Sequence, residues 1–152
     1  EAVPTVNDAV GGVTVTVLDE FRDSETLVKG ETVKLMGQES LNYVRGRHGA
    51  GDQTNISRMK RQEQYMSALI ERLIAAAKED PDLLTKLTLS LGDAFQSDYT
   101  VNQLQKLADR LMEAKIEDFV TIEGEAKVGT EFMEFYPDQA ALEKTIDEVF
   151  YQ

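Results

Sequence analysis

Residues Val13 to Leu18, VTVTVL, alternate valine with threonine, so Val13, Val15 and Val17 share one face and Thr14 and Thr16 the other, the two-residue period of a strand. Gly11-Gly12 marks a turn before it, and Pro4 to Val10 reads as the last turns of a helix that Gly11 stops. Lys29-Gly30-Glu31 is a further turn. Beyond it Leu35 ends a short extended piece, and a short helix starts near Met36 or Gly37 with Leu41 and Val44 on one side and Arg45 and Arg47 at its C-terminal end. His48 to Thr54, HGAGDQT, holds two glycines and no periodic apolar residue, which predicts a flexible loop.

The next segment carries the strongest helical pattern. Asn55 or Ser57 is placed to cap it, and Met59, Met66, Ile70, Leu73, Ile74 and Ala77 recur as its expected core stripe until Asp80-Pro81 stops it. Asp82 to Phe95 and Val101 to Ala114 predict two more amphipathic helices, the second capped by Thr100 and carrying Leu104, Leu107, Ala108 and Leu111. Phe119 to Ile122 and Thr130 to Tyr136 read as strands around the turn-prone Glu123-Gly124 and Gly129. Asp138 to Phe150 reads as a final helix that buries Ala141, Leu142, Ile146, Val149 and Phe150. Elements of both kinds are mixed along the chain, with no internal repeat and no linker long enough to divide it, so residues 1–152 are expected to form one α/β unit.

Composition narrows the class. A content of 41% hydrophobic and 29% charged residues is that of a globular chain, and no apolar run is long enough to span a membrane. The chain opens Glu-Ala-Val-Pro and its first methionine is Met36, which points to a processing site or a boundary at Glu1 and leaves room for a signal or anchor upstream of it. Cysteine is absent, which excludes disulfides, thiolate metal sites and a cysteine nucleophile. The formal net charge is -12, so nucleic acid and anionic membrane are repelled over most of the surface.

Against that background one stretch stands out. Between Arg45 and Arg61 lie five basic side chains, Arg45, Arg47, Arg58, Lys60 and Arg61, against the single acid Asp52. Arg58 and Gln62, four residues apart, share a helix face, and Arg58 falls in the first helical turn, where free N–H groups and the helix dipole attract an anion. Arg45 and Arg47 arrive from the other side of the HGAGDQT loop and, as alternate residues of an extended stretch, point the same way. The planar fork of arginine suits bidentate contact with phosphate oxygens, and Gln62 offers an amide hydrogen to a bridging oxygen, so the set fits a diphosphate. The ordinary alternative is that each arginine forms a surface ion pair, and Arg61 and Lys60 are read that way. His48 reads as a solvated loop residue, Tyr43 as packing, and Asp8, Asp19 and Asp52 as scattered acids to which no metal is assigned.

In three blocks of matching order and spacing the sequence resembles the LytR-CpsA-Psr proteins of bacterial cell envelopes. The blocks are NDAVGGVTVTV from Asn7, LMGQESLNYVRGR from Leu35 and SRMKRQ from Ser57. Asn55 stands where the family commonly has Asp, and Ser57 where it commonly has Gly. The resemblance implies an α/β domain with a central mixed sheet flanked by helices, of which this chain is the C-terminal part, the family's N-terminal half and membrane anchor lying outside it. It implies transfer of a polyprenyl-diphosphate-linked glycopolymer, such as teichoic acid or capsule, to peptidoglycan as a phosphodiester on the extracytoplasmic face of the membrane. Arg45, Arg47, Arg58 and Gln62 match the family's diphosphate-binding positions, with the three arginines stabilising charge on the leaving phosphate. Mg2+ is the implied cofactor, its ligands expected upstream, so the segment by itself is expected to turn over little or not at all. Two other functions remain in view: a noncatalytic lipid-diphosphate or anion-binding module, and a transcriptional regulator, which the acidic pI and the missing helix-turn-helix pattern oppose.

Overall fold

A computed structural model describes residues 2–113 and 119–151, which form two compact units, Glu1–Ile116 and Glu117–Gln152. In the first unit the order is α1 (Ala2–Ala9), β1 (Val13–Thr16), β2 (Thr32–Leu35), α2 (Gly37–Arg45), α3 (Asn55–Glu79), α4 (Leu83–Leu91), a 3-10 turn over Gly92–Ala94, and α5 (Val101–Glu113). The second holds β3 (Gly124–Val128), β4 (Met133–Pro137) and α6 (Gln139–Phe150). The α/β class expected from the sequence holds, and the strands form two separate antiparallel pairs, β1 with β2 and β3 with β4.

The valine-threonine alternation does what its period requires. Val13, Val15 and Val17 are buried and Thr14 and Thr16 exposed. β1 pairs with β2 from Val13 opposite Leu35 to Thr16 opposite Thr32, and bonds between Val17 and Glu31 and between Gly30 and Val17 carry the ladder past the named strands. Gly11 and Gly12 both have positive φ, +81° and +88°, and a Cβ on Gly12 would lie 3.0 Å from the backbone oxygen of Leu35, so glycine is required there. α3 packs on β1, α2 and α4, and α1 packs on α2 and α4. The core between them joins Val10, the three valines, Leu35, Tyr43, Val44, Tyr65, Ala76 and Leu87.

Polar side chains fasten this core. Asn7 is fully buried, and its Nδ2 donates to the Leu35 carbonyl at 2.9 Å while its Oδ1 accepts from the Tyr65 hydroxyl at 3.1 Å. Asp8 accepts from the Gly37 N–H at 2.7 Å and so caps α2, whose own Met36 has no side chain able to do it.

Several expectations change. Met59 and Met66 are each 42% exposed rather than core, because the inward row of α3 runs through Arg61, Tyr65, Leu69, Leu73 and Ala76. Thr54, not Asn55 or Ser57, caps α3, accepting from the Ser57 N–H at 3.1 Å. The helix expected to reach Phe95 stops at Leu91, where Gly92 turns to a φ of +48°. Thr100 does cap α5, and Gln103 bonds back to the Thr100 N–H at 2.8 Å. Leu107 is exposed, and Ala114 with the side chains of Ala108 and Leu111 lies outside the described residues.

In the second unit Phe119 to Ile122 is not a strand. The partner of β4 is Gly124–Val128, paired from Gly124 opposite Pro137 to Val128 opposite Met133. The turn is closed by Gly129 N–H on the Phe132 carbonyl at 2.8 Å, so residues 130–132 belong to it. Asp138 caps α6 through Ala141 N–H at 2.9 Å. Ile146, Val149 and Phe150 are exposed and Ala141 and Leu142 only half-buried, since a hairpin and one helix supply too few layers to enclose an apolar stripe.

Candidate functional site

The basic cluster occupies the corner where α2 ends and α3 begins. Gly46 turns the chain out of α2 with its N–H on the Asn42 carbonyl at 2.8 Å, leaving Arg45 on the last helical residue and Arg47 two residues on, both exposed. Asp52 shapes the loop that follows: its Oδ1 accepts from the Thr54 hydroxyl and N–H at 2.7 and 2.9 Å, which holds the Asp52 carboxyl below its usual range. The one acid of the cluster is thereby occupied by backbone shaping instead of neutralising an arginine.

α3 starts with Thr54 as its cap and Arg58 in its first turn. Arg58 donates from NH2 to the Asn55 side-chain oxygen, while its Nε is buried and has no hydrogen-bond partner. Leaving such a donor unpaired costs about 1–3 kcal/mol, so the position asks for an acceptor that the protein does not supply. Asn55 contributes an oxygen without a charge, so the guanidinium keeps its full positive charge. One turn further, Gln62 Nε2 donates to the Val44 carbonyl at 3.0 Å, which sets Gln62 against the residue preceding Arg45 and leaves one amide hydrogen and the amide oxygen for other partners.

Among the described residues Arg45, Arg47, Arg58 and Lys60 form no ion pair; the pairs present are Arg61–Asp19, Lys86–Asp80, Lys127–Glu125 and Lys144–Glu148. Surface ion pairing therefore fails as an account of these four, and Arg61 is paired in the interior instead of at the surface. Arg61 is 1% exposed and not the surface or solvent-facing cation expected from the sequence. It binds Asp19, which is likewise no longer a scattered solvated acid. Sequence reasoning missed this pair because the partners lie 42 residues apart; the available signal was that Arg61 stands four residues before Tyr65 on the inward row of α3. Tyr43 is packing, as expected: it is fully buried, stacks on Phe21 at 5.7 Å and donates its hydroxyl hydrogen to Gln64 at 2.5 Å.

Arg45 also lines an open groove of about 730 Å³ with Phe21, Asn42, His48 and the carboxylate residues Asp23 and Glu39; Arg47, Arg58 and Gln62 are not among its walls. The structure thus joins Gln62 to the Arg45 segment through Val44, with Arg58 one helical turn before it, while the groove receives only Arg45. His48 is exposed. No three His, Cys, Asp or Glu side chains come together to hold a metal ion among the described residues. Asp8 is engaged in capping α2.

What these features define is an α/β protein with an arginine corner at the start of a long helix, where Arg61 is paired with Asp19 and Arg45, Arg47 and Arg58 form no ion pair among the described residues. The profile of the LytR_cpsA_psr family matches residues 1–150, and the chain belongs to that family. Among solved structures it is similar to B. subtilis TagV, at 25% identity and a TM-score of 0.68, covering 97% of this chain and 59% of that one. It is also similar to the putative transcriptional factor Lmo1026 from Listeria monocytogenes, at 26% identity and a TM-score of 0.58, with 97% and 61% covered. The LytR-Csp2A-Psr enzyme from Actinomyces oris shares the fold at 21% identity and a TM-score of 0.65, with 94% and 58% covered. The chain thus spans under two thirds of the length of these structures. No curated protein matches it. No helix among the described residues is long and apolar enough to cross a membrane.

Proposed function

We propose that this chain supplies the diphosphate-holding part of a phosphotransferase that attaches polyprenyl-diphosphate-linked glycopolymers to peptidoglycan at the outer face of the bacterial cell membrane. The observation that carries the reading is the buried, unpartnered Nε of Arg58 at the N-terminus of a 25-residue helix. Phosphate oxygens are the acceptors that best suit it, since they add charge to a hydrogen bond and also meet the positive end of the helix. Arg45 and Arg47, exposed and without ion pairs, bring two further cations to the same corner.

In the reaction an acceptor hydroxyl oxygen bonds to the glycan-side phosphorus as the bridging P–O bond to the lipid-side phosphate breaks. Polyprenyl phosphate leaves with the bond's electron pair, and the hydroxyl proton is released. Negative charge grows on that leaving phosphate, and fixed guanidinium groups stabilise it more than they stabilise the resting diphosphate. A divalent metal such as Mg2+ would neutralise part of the diphosphate charge, with ligands from outside the described residues.

The test is transfer by the full-length protein from a polyprenyl-diphosphate-linked glycan to peptidoglycan, read as a phosphodiester conjugate and polyprenyl monophosphate. Both products should form, and both should fall sharply with Arg58→Ala. Lipid-diphosphate binding without either product would make the protein a noncatalytic binding module, and DNA binding in place of both would make it a regulator.

A further inference from the structure

The side chain with the most hydrogen bonds at this corner is the buried Arg61. Arg61 Nε donates to the Tyr43 carbonyl at 3.0 Å, NH2 donates to the Gly46 carbonyl, and NH1 donates to the Asp19 carboxylate and to Ser57 Oγ, the last at 3.2 Å. Ser57 in turn donates its hydroxyl hydrogen to the same Asp19 oxygen at 2.5 Å. The guanidinium carbon lies 5.3 Å from the centroid of the Phe21 ring, which itself stacks on Tyr43. Gly51, in the connecting loop, approaches so closely that a Cβ there would lie 2.6 Å from Ser57 Oγ and 2.7 Å from Asp19 Cγ.

These bonds have a specific geometry relative to the candidate site. The two carbonyls that Arg61 holds bracket Arg45 in the sequence, and the hydroxyl it holds immediately precedes Arg58. One side chain therefore fixes the end of α2 to the first turn of α3, with the segment after β1 as the third anchor. Asp19 cancels its charge and four of its five N–H groups are committed within the protein, so it has little left to give an anion.

We infer that Arg61, clamped by Asp19, is a positioning residue that sets the spacing between the Arg45–Arg47 segment and the Arg58–Gln62 turn, and so sets affinity for the diphosphate without touching it. The inference rests on the diphosphate reading of this corner. Lysine cannot reproduce it, since a single ammonium can stay paired with Asp19 but cannot reach both carbonyls with the rigid fork of arginine.

The experiment measures inorganic pyrophosphate binding by calorimetry, at a temperature where circular dichroism shows each variant folded. The set is wild type, Arg61→Met, Arg61→Lys, Asp19→Asn and, as a stability control, Leu87→Ala in the core of α4. Misplacing liganding groups by about an ångström is worth roughly tenfold to a hundredfold. Arg61→Met should lose affinity on that scale, Arg61→Lys should recover part of it, and Leu87→Ala should bind as wild type despite its lower melting temperature. Should Arg61→Met fail to fold, Asp19→Asn carries the test: it keeps size and an oxygen acceptor, and should still weaken binding severalfold. Wild-type affinity in a folded Arg61→Met, or in Asp19→Asn, overturns the inference while leaving the diphosphate reading intact. A wild-type protein that binds no pyrophosphate overturns that reading and this inference with it.

Discussion

Gln62 and Val44 are joined by one hydrogen bond, 3.0 Å from the Gln62 amide nitrogen to the Val44 carbonyl, and it connects the first turns of α3 to the last turn of α2. The bond aligns two segments that the HGAGDQT loop separates in sequence. Gln62→Ala removes it and leaves a carbonyl without that partner, which should cost about 0.5–1.5 kcal/mol in urea denaturation. Gln62→Glu should weaken pyrophosphate binding further than Gln62→Ala, because it sets a carboxylate beside the arginines; the order of the two dissociation constants checks this.

Asp8 makes stability depend on acid. The Gly37 N–H, followed by Asn7, favours its charged form and holds its carboxyl below the ordinary value of 3.8. The stabilisation is therefore present above pH 3.8 and lost as pH falls through the lower, folded-state value. Wild type should be more stable than Asp8→Ala at pH 7, and the difference should shrink toward zero in denaturation curves taken at successively lower pH below that point. A difference independent of pH would remove the carboxylate cap from the account.

The opposite limit belongs to Tyr65. Burial is the main cause that pushes its phenol up to about 12, while the folded state keeps the neutral hydroxyl on Asn7 at 3.1 Å. Above pH 10 the unfolded chain ionises first and binds fewer protons, so the contribution of Tyr65 is complete below pH 10 and lost as pH rises toward about 12. The stability gap between wild type and Tyr65→Phe should hold steady from pH 7 to pH 9 and then narrow. Equilibrium denaturation across that range reads it directly.

Thr54 joins the loop to the start of α3. Its hydroxyl oxygen accepts from Ser57 N–H at 3.1 Å, and its hydroxyl hydrogen goes to Asp52 at 2.7 Å, so one side chain both caps α3 and closes the loop. Thr54→Ala should cost about 1 kcal/mol of stability by chemical denaturation, and Thr54→Ser should restore most of it.

How much of this was legible in the sequence depends on the range over which each feature is determined. The VTVTVL strand, the glycine turn before it, the Lys29–Glu31 turn and the start of α2 follow from local period and backbone freedom, and all stand in the structure. The arginine positions were legible through residue type and through a resemblance carried by three short blocks. The face of α3 was not, because a count of apolar residues marks Met59 and Met66 as core and passes over Arg61, whose ion-pair partner is Asp19 in the segment after β1. The hairpin was displaced for a related reason: Phe119, Val120 and Ile122 look like a strand by composition, yet the segment that pairs with Met133–Pro137 is Gly124–Val128. Strand pairing selects a register between two segments, and neither segment reveals it by itself.

On the proposed function Arg58 offers its unmet donor to a diphosphate, and calorimetric titration of inorganic pyrophosphate into wild type, Arg58→Ala and Lys60→Ala tests this most directly. Arg58 has a buried Nε without a partner, whereas Lys60 is exposed and points to another side of the helix. A charge-assisted hydrogen bond is worth about 1.5–3 kcal/mol, so Arg58→Ala should bind roughly tenfold to a hundredfold more weakly at nearly unchanged melting temperature, and Lys60→Ala should bind as wild type. Equal losses in both variants, or none in Arg58→Ala, would contradict the account.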